Sequence, residues 1–305
     1  MAVNEDILKC LAYFDLFSYP LTGDEISRFC THAYSHAELT RHINILVETE
    51  RVYRIGNFYS LRSDQRLATR REAGNRRAEK KMKTARRVGK FLHHFPFVRG
   101  VAISGSLSKN FADKNSDIDF FIITARNRLW VARTLMFSFY KLIFFAGIRN
   151  WFCMNYYIDE DALQIEEKNF YTAIEIATLV PVVITPGIAH FFAENEWVAS
   201  FLPSAMPHRL PEMRMKNSRL KSLFEAILSQ KFGSWLDLKL MKSTSTRWKK
   251  KMKKHQLNAK GVPLSMNTSR HYAKPDPANF QDRLLDEYRQ KCSALCSQEA
   301  FRIAR

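Results

Sequence analysis

Paired metal-ligand cysteines are missing from this chain. Its five cysteines are Cys10, Cys30, Cys153, Cys292 and Cys296. None has the close pairing of a zinc site, and reduced thiols in a cytoplasmic protein are the expectation. A basic stretch followed by an apolar core is absent from the first residues, so no secretory signal is expected. No long uncharged apolar run occurs either. The most apolar stretch, 129–148, is interrupted by Arg133 and Lys141, which suits a buried helix better than a membrane span. The chain has no internal repeat and no Gly-x-Ser-x-Gly elbow. It also has no Walker-type loop, because Gly105 is not followed by Gly-Lys-Ser/Thr at the required spacing. Acids are few, 30 against 48 lysines and arginines, for a formal net charge of +18. That balance favours anionic partners (nucleic acid, nucleotides or a membrane surface) without choosing among them. At 305 residues with 46% apolar content, the chain is long enough for two or three globular domains.

The most informative stretch is 98–124. Val98 to Ile103 is a short β-branched run that suits a buried strand. Gly105-Ser106 breaks it with a tight turn, and Leu107 to Ala112 suits one or two helical turns. A second apolar run follows, Ile118 and Phe120 to Ile123, with Asp117 and Asp119 at its start. Two carboxylates at i and i+2 of a strand share a face. Left alone about 5–6 Å apart, they would repel by roughly 3 kcal/mol at an effective dielectric near 20. A divalent cation neutralises such a pair, and Mg²⁺ suits one or two carboxylates plus substrate phosphates. The Gly-Ser turn ahead of a helix offers backbone N–H groups and a hydroxyl to phosphate oxygens. Together these features describe nucleotidyl or phosphoryl transfer from a nucleoside triphosphate.

An apolar strand, Gly105-Ser106, ten residues, then Asp117-Ile118-Asp119 resembles the signature of the polymerase-β-type nucleotidyltransferase superfamily, and in particular its minimal members. The resemblance covers roughly a tenth of the chain. It implies an α/β (α+β) core with a mixed sheet, an NTP co-substrate, Mg²⁺ held by Asp117 and Asp119, and Gly105, Ser106 and Lys109 at the nucleotide. Ser106, Asp117 and Asp119 would be the catalytic set. In that superfamily a later strand often adds a third carboxylate. Here the strand 152–158 carries Asn155 at its centre, and the nearest acids, Asp159, Glu160 and Asp161, follow it. An amide ligates or positions but accepts no proton. Two readings therefore stay open: an active Mg²⁺-dependent nucleotidyltransferase acting on a hydroxyl acceptor, or a non-catalytic nucleotide- or nucleic-acid-binding regulatory protein on the same fold.

The rest of the chain divides into segments. Residues 1–63 read as three helices and a hairpin. Capping-box patterns at Thr22–Glu25 and Ser35–Glu38 and a turn at Gly56-Asn57 mark them. Their order looks like a winged helix-turn-helix, with Arg41, His42 and Asn44 outward on the third helix. DNA binding and intramolecular docking both suit it. Residues 64–95 read as a very basic helix, either a solvated connector or a rail for phosphates. Residues 96–165 hold the nucleotidyltransferase core, and 166–240 read as helical. Residues 241–305 combine a basic block (Lys242, Arg247, Lys249 to Lys251, Lys253, Lys254 and Lys260) with a loop over 267–279 and a helix from Phe280 to Arg302. The block could engage nucleic acid or anionic lipid. An integral membrane protein is not expected.

Overall fold

The computed structural model describes residues 2–145, 152–205, 218–256, 265–275 and 280–303. The chain opens with α1 (Ala2–Asp15), α2 (Gly23–Phe29) and α3 (His36–Glu48), then the strands β1 (Tyr53–Ile55) and β2 (Phe58–Ser60). Local chemistry sets these boundaries. Thr22 accepts from the Glu25 amide, and the Glu25 side chain accepts from the Thr22 amide, which starts α2. Ser35 accepts from the Glu38 amide to start α3. Gly56 takes φ +62° at the first turn position and lets Ile55 pair with Phe58, a conformation that glycine adopts without strain. Ile7, Leu11, Phe14, Ile26, Leu39, Ile43 and Leu46 form the core of this unit. Arg41 and Asn44 are exposed on α3, whereas His42 is half-buried against Asn4, with Nδ1 2.7 Å from Asn4 Oδ1.

The basic segment is α4 (Gln65–His93), and one side of it is structural. Leu67, Gly74, Ala78, Ala85, Gly89 and Leu92 are buried in a helical stripe. A Cβ added at Gly89 would lie 2.5 Å from Val182. The helix thus lies against the sheet rather than spanning solvent, and its small residues permit the close approach. Arg76, Lys80, Lys83, Arg86, Arg87 and Lys90 are exposed on the remaining faces.

Next come β3 (Val98–Ser104), α5 (Gly105–Ser108), β4 (Ile118–Thr124), α6 (Leu129–Phe145), β5 (Phe152–Asp159), α7 (Phe170–Ala177), β6 (Val180–Pro181) and α8 (Pro186–Glu194). After them come α9 (Arg219–Leu228), α10 (Lys231–Lys253), β7 (Met266–Thr268), β8 (Tyr272–Pro275) and α11 (Phe280–Ile303). The six-stranded sheet has the order β6-β3-β4-β5-β8-β7. It is mixed: β3 and β4 are antiparallel, β4 and β5 parallel. The sheet is wider than the 96–165 segment. β6 lies within the stretch read as helical, and β8 and all but the first residue of β7 lie within the stretch read as a loop. Such short strands give too little alternation to register, and Pro275 closes β8. Pro181 is tolerated because β6 is an edge strand. Lys260 of the basic block lies outside the described residues.

Side chains alternate across the sheet. Val101, Ile103, Ile118, Phe120, Ile122 and Tyr157 pack on α4 and α6. Ala102, Phe121, Ile123 and Ile158 face α7 and α8 and join the core of the N-terminal unit. Among the described residues, no helix is long and apolar enough to cross a membrane.

Asp237 of α10 is 2% exposed and accepts from the Val131 amide at 2.9 Å, near the start of α6. Burial pushes its carboxyl up to about 6, against the opposing pull of the Val131 and Trp130 amides and Arg128. The folded protein therefore holds this proton where the unfolded chain has lost it. Its stabilising contribution is complete below about pH 4 and is lost as pH rises through 6. Asp237→Asn keeps an oxygen for the amides without the buried charge. Urea unfolding at pH 8 should find the variant more stable by about 2 kcal/mol, with the difference vanishing near pH 4.

Candidate active site

The loop between two central strands builds the site. β3 ends at Ser104, and the chain turns through Gly105 at φ +67°. α5 is a single turn, with Leu107 buried beneath it and Ser106 exposed. Asp119, the second residue of β4, stands opposite Ser104 on one side and Cys153 of β5 on the other. Its carboxylate comes so close to Gly105 that an added Cβ would lie 2.7 Å from Asp119 Oδ2. Glycine is required here twice, for the left-handed backbone and for the room. Gly105→Ala should shift the Asp119 carboxylate and strain the turn. Denaturation should show a loss of about 1–2 kcal/mol, and any activity of the site should fall by roughly ten- to a hundredfold.

Asp117 lies one residue ahead of β4, and its Oδ2 is 3.9 Å from Cys153 Sγ. Cys153 is also the strand partner of Asp119, so the two carboxylates converge on one place. The preceding loop is held from α4: Lys81 donates to the Ser116 carbonyl, and Arg77 donates to the Ala112 carbonyl at 3.4 Å. Lys109 reaches back over the turn, with Nζ 2.8 Å from Glu175 Oε1 and 3.3 Å from the Gly105 carbonyl. Tyr19 of the N-terminal unit donates its hydroxyl to the Lys109 carbonyl.

A cavity of about 440 Å³ opens beside this turn. Ser104, Gly105, Asp119, Phe121 and Tyr156 of the sheet and turn line it, together with Tyr171 and Glu175 of α7, Lys274 of β8 and Asp282 of α11. Lys274 pairs with Glu167. Burial pushes the Tyr156 phenol well above its ordinary value, so it keeps its proton.

The later strand departs from expectation. Met154 pairs with Phe120 and Tyr156 with Phe121, which leaves Asn155 as an extra residue in a bulge. The faces confirm the shift: Phe152 and Met154 pack with Phe120, whereas Tyr156 and Ile158 lie on the side of Phe121. The side chain of Asn155 lies outside the described residues. The position directly beside Asp119 belongs to Cys153.

Asp159, Glu160 and Asp161 do not reach this place. Asp159 pairs with Thr124, five residues along β4 from Asp119, roughly 16 Å at strand rise. There Asp159 is buried and accepts from the amides of Asn127 and Asp161, and His271 Nδ1 lies 3.0 Å from its Oδ2. Asp159, Asp161 and His271 bring three potential metal-ligand atoms within 4.8 Å. Arg126 pairs with Asp161, so this end of the sheet carries its own ion-pair network. It is separate from the Asp117–Asp119 end.

Residues 85–188 match the sequence model of a family described as the nucleotidyltransferase domain. They are a nucleotidyltransferase domain of the polymerase-β type. No curated protein and no solved structure matches the chain. The matched segment runs from the last turns of α4 to the start of α8 and contains Gly105, Ser106, Asp117 and Asp119. It starts before the 96–165 core and ends beyond it, because α4 and β6 belong to the same packed unit as the motif strands. Sequence reading missed Cys153, Glu167, Glu175, Lys274 and Asp282. Only Cys153 left a signal, its place in the apolar run 152–158, and the bulge hid its register.

Proposed function

We propose that the chain transfers a nucleoside monophosphate from a nucleoside triphosphate to a hydroxyl acceptor. The acceptor oxygen bonds to the α-phosphorus and gives up its proton to solvent, the bond to the bridging oxygen breaks, and pyrophosphate leaves. The observation that carries this reading is the convergence of Gly105, Asp117 and Asp119 at one end of the central strands. Gly105 leaves its backbone open to phosphate oxygens, Ser106 offers its hydroxyl, and Lys109 supplies a cation over the turn. Asp117 and Asp119 are hard oxygen donors of the kind Mg²⁺ prefers. They would hold it, and when bound it would offset the charge of the triphosphate and the leaving oxygens. Cys10 and Cys30 are buried thiols, which suits the cytoplasm, where the triphosphates are.

Residues 1–63 would act as a winged-helix-like module in a docking role. Arg28 donates to the Ala177 carbonyl of α7 at 2.9 Å, and Tyr19 holds the carbonyl of Lys109. Cys153 beside Asp119 favours a second reading, a nucleotide-binding regulatory protein without turnover, since a thiol there supplies no third carboxylate.

The test uses α-labelled ATP, CTP, GTP and UTP with Mg²⁺ and a cell lysate as acceptor pool. Label entering an acceptor supports transfer and delivers the acceptor for identification. Nucleotide binding without transfer by any of the four supports the second reading.

A further inference from the structure

The helix α9 is docked the wrong way round for a soluble surface helix. Its sequence, Arg-Leu-Lys-Ser-Leu-Phe-Glu-Ala-Ile-Leu, has a charged side and an apolar side. The charged side is turned inward. The Lys221 ammonium is 2% exposed and donates to the carbonyls of His93 at 2.9 Å and Val98 at 2.7 Å. Glu225 accepts from the Phe97 amide at 2.6 Å and from Arg99 at 2.8 and 3.1 Å. These bonds fix the rotation of the helix. As a result Leu220, Leu223, Phe224 and Ile227, one helical stripe, face outward at 42–64% exposure.

The next helix continues the pattern. α10 follows closely, because Gly233 packs against the Leu228 carbonyl without room for a Cβ. Phe232 and Trp235 stack on each other and are more than half exposed. The same helical stripe then carries Lys239, Lys242, Lys249 and Lys253, all exposed. Lys239 Nζ sits 4.7 Å from the Trp235 ring centre. Neither helix offers an acid to the outside: Glu225 is spent on Arg99 and Asp237 on the start of α6.

We propose that α9 and α10 form a surface that lies on an anionic lipid bilayer. Leu, Ile, Phe and Trp in one outward stripe, followed by lysines with long apolar stems, match the chemistry of the headgroup–acyl boundary. Positive charge without acids matches an anionic leaflet. Nucleic acid accounts for the lysines but leaves the outward Leu220, Leu223, Phe224 and Ile227 uncovered. A second copy of this chain would bring the same unscreened lysines face to face. The surface lies outside the Gly105–Asp119 site and does not depend on the reading of that site.

Co-sedimentation of the full chain with vesicles tests this. Vesicles of phosphatidylcholine with phosphatidylglycerol should pellet the protein, and phosphatidylcholine alone should bind it roughly tenfold more weakly. Leu223→Ser/Ile227→Ser should lower partition onto the anionic vesicles by roughly tenfold. Lys249→Glu/Lys253→Glu should lower it similarly while keeping the apolar stripe intact, and melting temperatures should match the wild type in both. No pelleting with anionic vesicles overturns the proposal, as does equal partition onto neutral ones or unchanged partition in both variants. Tight binding of a DNA duplex, or a dimer undone by Leu223→Ser/Ile227→Ser, likewise overturns it if the vesicles stay bare.

Discussion

Asp119→Asn should lower label transfer by roughly a thousandfold or more while leaving the unfolding midpoint within about 1 kcal/mol of wild type. Asp119 lies on the central strand between Ser104 and Cys153, at the turn where Gly105 gives it room. An amide of the same shape keeps the packing. It removes the charge that would balance a cation and triphosphate, and several kcal/mol of transition-state stabilisation go with it. The variant separates the two readings of the site. A regulatory nucleotide-binding protein would lose Mg²⁺-dependent binding without any transfer to lose. Unchanged transfer in this variant would remove Asp119 from the site.

Arg71→Met should destabilise the protein by about 3 kcal/mol in urea unfolding. Arg71 is 3% exposed on α4. It pairs with Glu25 at 2.6 Å, donates to the Pro20 carbonyl at 2.8 Å and lies 3.7 Å over the Tyr19 ring. Removing it leaves Glu25 half-buried without its cation, in the residue that also completes the capping box of α2. Methionine fills much of the volume, so the loss is electrostatic more than steric. Arg71→Met/Glu25→Gln should recover part of the loss, because glutamine keeps an oxygen for the Thr22 amide and carries no charge. Tyr19 reaches the Lys109 carbonyl from the same loop. Loosening this joint should therefore also weaken the hold on the Gly105–Lys109 turn.

How much was legible follows from how local each signal is. Gly105-Ser106 and Asp117-Ile118-Asp119 could be read because residue type, spacing and flanking apolar runs fall within 27 residues, and the two apolar runs are the strands β3 and β4 in the structure. The Thr22–Glu25 capping box, the Ser35 cap and the Gly56 turn are shorter still. Asn155 could not be placed, because a bulge is a property of two paired strands and the partner is β4. Glu167, Glu175, Lys274 and Asp282 were not legible as pocket residues. Glu175 lies in the apolar α7, Glu167 and Lys274 in stretches without a clear periodicity, and Asp282 on α11, and only the folded chain gathers them. The basic α4 concealed its structural side for a similar reason. Its buried stripe is mostly glycine and alanine, whose small size matters only once Val182 and Phe111 press against them.

Pyrophosphate release tests the central claim most directly. The protein is incubated with its preferred triphosphate, Mg²⁺ and an acceptor, beside Asp117→Asn/Asp119→Asn. Wild type should release pyrophosphate in step with the label it transfers, chelation should stop both, and the double variant should release none. Orthophosphate as the leaving product, or equal pyrophosphate release from the double variant, would contradict nucleotidyl transfer at this site.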